Sequence, residues 1–126
     1  MYELKVKDHI DSAHYIKGYI GKCSRLHGHR WAVEVVMRGE SLNKLHMLAD
    51  FVFVKAVIKD VLNVLDHFTL NEQLHEENVT AEFLAEWVYD RIEERMKRLD
   101  WAKGLALEDV GIWESPECEV RYSGEG

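Results

Sequence analysis

The sequence is short of proline: Pro116 is its one proline in 126 residues. The eight glycines are scattered, and no low-complexity tract or internal repeat marks a linker between folding units. A single domain over residues 1–126 is expected, and 47% apolar residues are enough to build its core. Long hydrophobic runs are missing, with no window near the roughly 20 apolar residues of a membrane span. The segment Met1 to Ile10 alternates charges without an apolar centre, so it reads as neither signal peptide nor anchor, and a cytoplasmic protein is expected. Cysteine is scarce too. Cys23 and Cys118 lie far apart, and in the absence of an export signal they read as thiols. Positive charge is in deficit, the formal net charge being -7. Nucleic acids and anionic membranes need a cationic footprint, so neither is an expected partner. A small phosphorylated ligand needs only a local cluster. Lys22, Arg25 and Arg30 gather within nine positions around a run of histidines, although the same residues also read as ordinary surface charge.

What the sequence does contain is a change of period. Tyr2, Leu4 and Val6 alternate with polar residues as in a half-buried strand, and the pattern continues through Ile10 towards His14. The Val-rich run from Trp31 to Met37 reads as a second strand. Gly18 and Gly21 mark Ile16 to Leu26 as a loop or distorted connection, and without a helical pattern between the strands an antiparallel pairing is simplest. After Asp50, a plausible N-cap, Phe51, Val54, Val57, Ile58, Val61, Leu62 and Leu65 follow helical spacing. A second helix is expected from about Thr80 to Leu99, capped by Thr80, with Glu82 in the first turn where the helix dipole favours a negative charge. Leu105 to Trp113 and Glu117 to Tyr122 read as strands joined by a turn at Ser115 and Pro116. The order ββααββ describes an α+β domain: a four-stranded antiparallel sheet with two helices on one face.

The chemistry concentrates in CSRLHGH. His27 and His29 are two positions apart, so in an extended chain both imidazoles leave the same face. If the first strand pairs alongside, His14 supplies a third nitrogen, giving three protein ligands and an open position as in catalytic zinc sites. Unrelated surface histidines are the alternative. Cys23, four residues before His27, reads as a base or nucleophile beside the metal, as a fourth ligand, or as an inert buried thiol. In LDHFTLNE, Asp66 and His67 form a proton relay if a turn brings the adjacent side chains together; otherwise His67 caps a helix end and Asp66 is a surface acid. Glu114, after an apolar strand, is placed to accept paired hydrogen bonds from a guanidine-like ring edge, or else is a turn residue before Pro116. His9, His46 and His75 have no identifiable partner and read as surface residues.

In order along nearly the whole chain, IDSAH, CSRLHGH, ADF, LDHFTLNE, TAEFLAEW and GIWESPECEVRY resemble the 6-pyruvoyltetrahydropterin synthase family. The resemblance implies the tunnelling fold, trimers around a β-barrel that commonly stack as hexamers, and active sites between subunits. It implies Zn²⁺ on His14, His27 and His29, a catalytic group of Cys23, Asp66 and His67, and Glu114 as pterin anchor, with Thr80 and Glu82 in the pterin-binding segment. Ile10 stands where Phe usually opens the first motif, and Ala49 precedes the Asp-Phe pair; neither position carries chemistry. The three residues between Cys23 and His27 resemble the 6-carboxytetrahydropterin synthase branch, which feeds queuosine or archaeosine synthesis. That branch converts 7,8-dihydroneopterin triphosphate to 6-carboxy-5,6,7,8-tetrahydropterin, losing acetaldehyde and triphosphate, and Arg25 is a candidate for holding the triphosphate. The same residues would also serve triphosphate elimination by a 6-pyruvoyltetrahydropterin synthase, or a pterin side-chain aldolase. A zinc- and pterin-binding module without turnover is the remaining alternative.

Overall fold

The computed structural model describes residues 1–124. Strand β1 (Tyr2–His14) pairs antiparallel with β2 (His27–Gly39), β2 with β3 (Ala106–Ser115), and β3 with β4 (Cys118–Tyr122), in the order β1-β2-β3-β4. Helices α1 (Phe51–Leu62), α2 (Leu70–Gln73) and α3 (Ala81–Met96) lie between β2 and β3 in sequence. The architecture is the expected α+β arrangement, with a third, four-residue helix added between the two long ones. One turn of helix is too short to leave a periodic signal.

Alternation decides which sheet face is covered. Leu4, Val6, Ile10, Ser12 and His14 of β1 are buried, as are Trp31, Val33, Val35 and Met37 of β2. The register joins the two sets, with Leu4 opposite Met37, Val6 opposite Val35 and Ile10 opposite Trp31. A slip of one residue would turn the slipped strand's set to solvent, so burial itself fixes the register. Val54, Val57, Ile58 and Val61 of α1 and Leu84, Val88, Ile92 and Met96 of α3 close the core over this face. The Asp50 carboxylate accepts from Val52 N at 2.8 Å and the Thr80 hydroxyl from Phe83 N at 3.1 Å, so each long helix starts at its expected cap.

Element ends depart from the periodic reading where turns keep an apolar residue buried after the helix has stopped. Helix α1 ends at Leu62, and Leu65 stays in the core through a turn in which Leu65 N and Asp66 N both donate to Leu62 O. Helix α3 likewise ends at Met96, three residues before Leu99. Strand β2 starts at His27, four residues before the apolar run, because polar Gly28 and Arg30 occupy its outward positions. The far edge of β1 is covered by residues 67–69: His67 N donates to Asp11 O at 2.7 Å and Ala13 N to Phe68 O at 3.1 Å.

Candidate active site

His14, His27 and His29 extend the buried face of β1 and β2 to the end of the sheet. His14 faces His27 directly in register, and His29 lies two residues further along β2 on the same face. That spacing makes one cross-strand neighbour and one diagonal neighbour, both within reach of an imidazole. Ring centroids are 4.5 Å apart for His14 and His27, 4.7 Å for His27 and His29, and 5.2 Å for His14 and His29. One ligand atom from each ring lies within 4.8 Å of the other two, and no thiol belongs to this group among the described residues. Trp31 closes its inner side, edge-on to His14 and His29, with its indole N-H donating to Ser12 O at 3.2 Å.

Hydrogen bonds behind the rings fix their tautomers. His14 Nδ1 is 2.6 Å from Val79 O and His27 Nδ1 is 2.6 Å from Arg25 O. A carbonyl only accepts, so both Nδ1 atoms carry the proton and both Nε2 lone pairs face the cluster, as in metal-binding histidines whose other nitrogen is held by a carbonyl. The Nε2 atoms of His14 and His29 are buried without a hydrogen-bond partner. Such atoms are costly unless something binds them, and the fit to a divalent metal is therefore good. Burial lowers the pKa of both His14 and His29 and keeps them neutral, the form that coordinates a metal. Glu114 is the acid facing the group, with carboxylate oxygens 3.7 Å from His14 Nε2 and 4.0 Å from His29 Nε2. It sits at a bulge between Trp113 and Ser115, a device that re-aims a side chain. A cavity of about 640 Å³ lined by His29, Glu114, Trp113 and Pro116 adjoins it, of a size that takes a small organic ligand.

Asp66 and His67 are brought together by the turn their adjacency requires. His67 has a positive φ of 64°, unusual for a residue with a side chain, and its Nδ1 lies 3.0 Å from Asp66 Oδ2. The two side chains are thus paired, and the C-cap of α1 is Asn63 rather than His67. The other oxygen of Asp66 accepts Asp11 N at 2.8 Å, and this bond is the main reason its pKa is lowered. Asp11 also lies within ligand distance of Asp66 and His67. Its carboxylate is already held by the Arg30 guanidinium at 2.9 and 3.1 Å, so the charge a cation would bring is in place.

Other expected site residues are more dispersed. Cys23 is partly buried in the 3-10 turn Lys22–Ser24, and its carbonyl accepts Ile16 N at 2.8 Å. Among the described residues, its thiol does not join Asp66 and His67 in a group of atoms within 4.8 Å of one another. Thr80 spends its hydroxyl on the α3 cap, one residue after Val79, while Glu82 is exposed in the first turn. Lys22 and Arg25 are exposed and make no ion pair among the described residues. Arg30, grouped with them on sequence spacing, is instead committed to Asp11. His9, His46 and His75 are exposed.

Asn71 was not identifiable from spacing. It is 3% exposed; its side-chain oxygen accepts Tyr15 N at 3.0 Å, and its amide nitrogen donates to Tyr15 O at 2.9 Å and Glu77 O at 2.7 Å. It clamps the two segments that carry His14 and Val79. The fragment LNEQ gives no sign of this, because the partners lie on other loops.

Fold and site together define a class: an α+β domain that carries a three-histidine group of metal-ligand geometry at the end of an antiparallel sheet. Residues 3–125 match the family model for 6-pyruvoyl tetrahydropterin synthase, and the chain belongs to that family of enzymes. It is 35% identical over 118 residues to a 6-carboxy-5,6,7,8-tetrahydropterin synthase from Synechocystis, covering 90% of this chain and 86% of the relative. It is 34% identical over 111 residues to a dihydroneopterin monophosphate aldolase from Pyrococcus furiosus, covering 88% of each. The fold is similar to 6-pyruvoyl tetrahydropterin synthase from Caenorhabditis elegans, with a TM-score of 0.84 at 22% identity over 98% of this chain and 96% of that one.

Proposed function

We propose that the chain is a zinc-dependent lyase that converts 7,8-dihydroneopterin triphosphate to 6-carboxy-5,6,7,8-tetrahydropterin, taking up water and releasing acetaldehyde and triphosphate. The observation that carries this reading is the cluster of imidazoles with two buried, unpartnered Nε2 atoms facing an acid. The spacing of Cys23 from His27 and the Synechocystis relative support the choice of reaction.

His14, His27 and His29 would hold Zn²⁺, which when bound supplies Lewis acidity towards the oxygens of the pterin side chain. Glu114 would accept hydrogen bonds from the ring edge of the pterin and so fix the direction of its side chain. Thr80 and Glu82, beside the carbonyl that orients His14, belong to the same binding segment. Asp66, kept ionised by the Asp11 N-H, would hold the Nδ1 proton of His67 and leave Nε2 to exchange protons with the substrate. Cys23 would move the second proton. Because its thiol does not join Asp66 and His67 in one group among the described residues of a single chain, the complete relay is assigned to neighbouring subunits of a trimer-based homo-oligomer, a hexamer in its full form. Exposed Arg25, with Lys22, would hold the triphosphate. No helix among the described residues is long and apolar enough to cross a membrane, and a cytoplasmic place in deazapurine synthesis follows from the proposed reaction.

A side-chain aldolase is the second reading, favoured by the identity to the Pyrococcus furiosus aldolase. Metal analysis and turnover of His27→Ala and His29→Ala test the centre: both variants lose zinc and activity, whereas Cys23→Ala keeps zinc. Equal loss of zinc in Cys23→Ala would make the thiol a ligand and the centre structural.

A further inference from the structure

Asp11 and Arg30 face each other in the β1–β2 register on the sheet face opposite the core. Asp11 is bonded on three sides: its N-H donates to Asp66 at 2.8 Å, its carbonyl accepts His67 N at 2.7 Å, and both carboxylate oxygens are held by Arg30 at 2.9 and 3.1 Å. Its backbone therefore fixes both members of the Asp66–His67 pair. The same geometry creates a conflict, because the Asp11 carboxylate lies within 4.8 Å of the ligand atoms of Asp66 and His67. Left free, it would compete for the imidazole N-H and add a second negative charge beside it.

We propose that Arg30 and Asp11 are a positioning pair for the Asp66–His67 dyad, Arg30 holding the second carboxylate on strand β2 so that His67 has a single acidic partner. This rests on the reading of Asp66 and His67 as an acid–base dyad. The charged groups around His67 are Asp66 in its own turn, Asp11 on β1 and Arg30 on β2, with His9 of β1 near Asp11. With Arg30 present, the Asp11 charge is cancelled. Arg30 and Asp11 cover none of the core, the Arg30 side chain being 66% exposed and that of Asp11 39%.

The pair predicts a charge ladder in three variants of the zinc-loaded protein, read from His67 by NMR of histidine-labelled samples and from the pH profile of turnover. Arg30→Gln uncovers the Asp11 carboxylate, favours imidazolium, and raises the His67 midpoint by about half a pH unit, the effect of one charge near 5 Å in largely aqueous surroundings. Asp11→Asn leaves Arg30 unbalanced and moves the midpoint down. The double variant returns it to the wild-type value, and the pH profile of turnover follows in each case. A purely structural ion pair would lower stability in the variants, the two losses not adding because the partners interact, and would leave the His67 midpoint where it is in wild type. A His67 midpoint unmoved in Arg30→Gln, or a double variant that stays at the Arg30→Gln value, overturns the proposal while leaving the dyad intact. Full turnover in His67→Ala would instead remove the dyad, and the role of the pair with it.

Discussion

Replacing Asn71 by Leu tests whether the site depends on the clamp behind it. Leucine keeps the volume and the helical preference of α2 but removes three hydrogen bonds, to Tyr15 N, Tyr15 O and Glu77 O. Each is worth about 1 kcal/mol, and its partly buried partner is left unsatisfied, so the loss is about 3 kcal/mol. For a chain of 126 residues, an unfolding entropy of about 2.1 cal/mol/K per residue turns that into a fall in Tm of about 10 °C. The same change frees the segment that presents Val79 O to His14 Nδ1, 2.6 Å away. Loss of such a support costs about 10- to 100-fold in metal affinity. Thermal unfolding of wild type and Asn71→Leu, metal-free and at equal protein concentration, gives the first quantity, and a competition titration with a zinc chelator gives the second. A Tm within about 2–4 °C of wild type, what about 0.5–1 kcal/mol would give, together with unchanged zinc affinity, would refute the reasoning.

Burial lowers the pKa of His14 and His29 below the ordinary 6.5, so in the metal-free protein the unfolded chain binds protons that the folded one refuses. Stability contributed by these groups is present above pH 6.5 and is lost as pH falls towards their folded values, with a slope of up to about 2.7 kcal/mol per pH unit for two groups; denaturant titrations at several pH values measure it, and a flat profile between pH 7 and 5 contradicts it. Replacing Cys23 by Ala lowers turnover by about 100-fold or more with zinc retained, whereas Cys118→Ala, exposed at the start of β4, changes little; an active Cys23→Ala enzyme would shift the base to His67. His46 has a φ of 66° and is exposed, so His46→Val costs about 1–2 kcal/mol while His46→Gly is close to neutral, as equilibrium unfolding will show.

Most of this fold is legible in the sequence because alternation and helical period report the same covered face. Leu4, Val6 and Ile10 announce β1, Val54 to Leu62 announce α1, and Asp50 and Thr80 announce the helix starts. His27 and His29 are readable as a same-face pair for the reason that Trp31 and Val33 are: a strand repeats every two residues. The dyad was only half legible, since nothing in LDHF states that His67 takes a left-handed backbone. Asn71 and Arg30 are not legible in their roles, because Arg30 acts on Asp11, 19 residues away in sequence, and Asn71 ties its own segment to Tyr15, 56 residues away. Local pattern carries no record of such distances. The end of α1 is not legible for a related reason: Leu65 is buried by a turn, and burial alone cannot distinguish a turn from a further turn of helix.

The central claim, a carbon–carbon and carbon–oxygen bond-breaking reaction on a pterin triphosphate at a three-histidine zinc centre, is tested most directly by mass analysis of what the zinc-loaded protein makes from 7,8-dihydroneopterin triphosphate. The account predicts 6-carboxy-5,6,7,8-tetrahydropterin with acetaldehyde and triphosphate, and no product from His27→Ala. A pterin that keeps its three-carbon side chain as the 6-pyruvoyl product, a hydroxymethyl pterin from aldol cleavage, or unchanged substrate would contradict it.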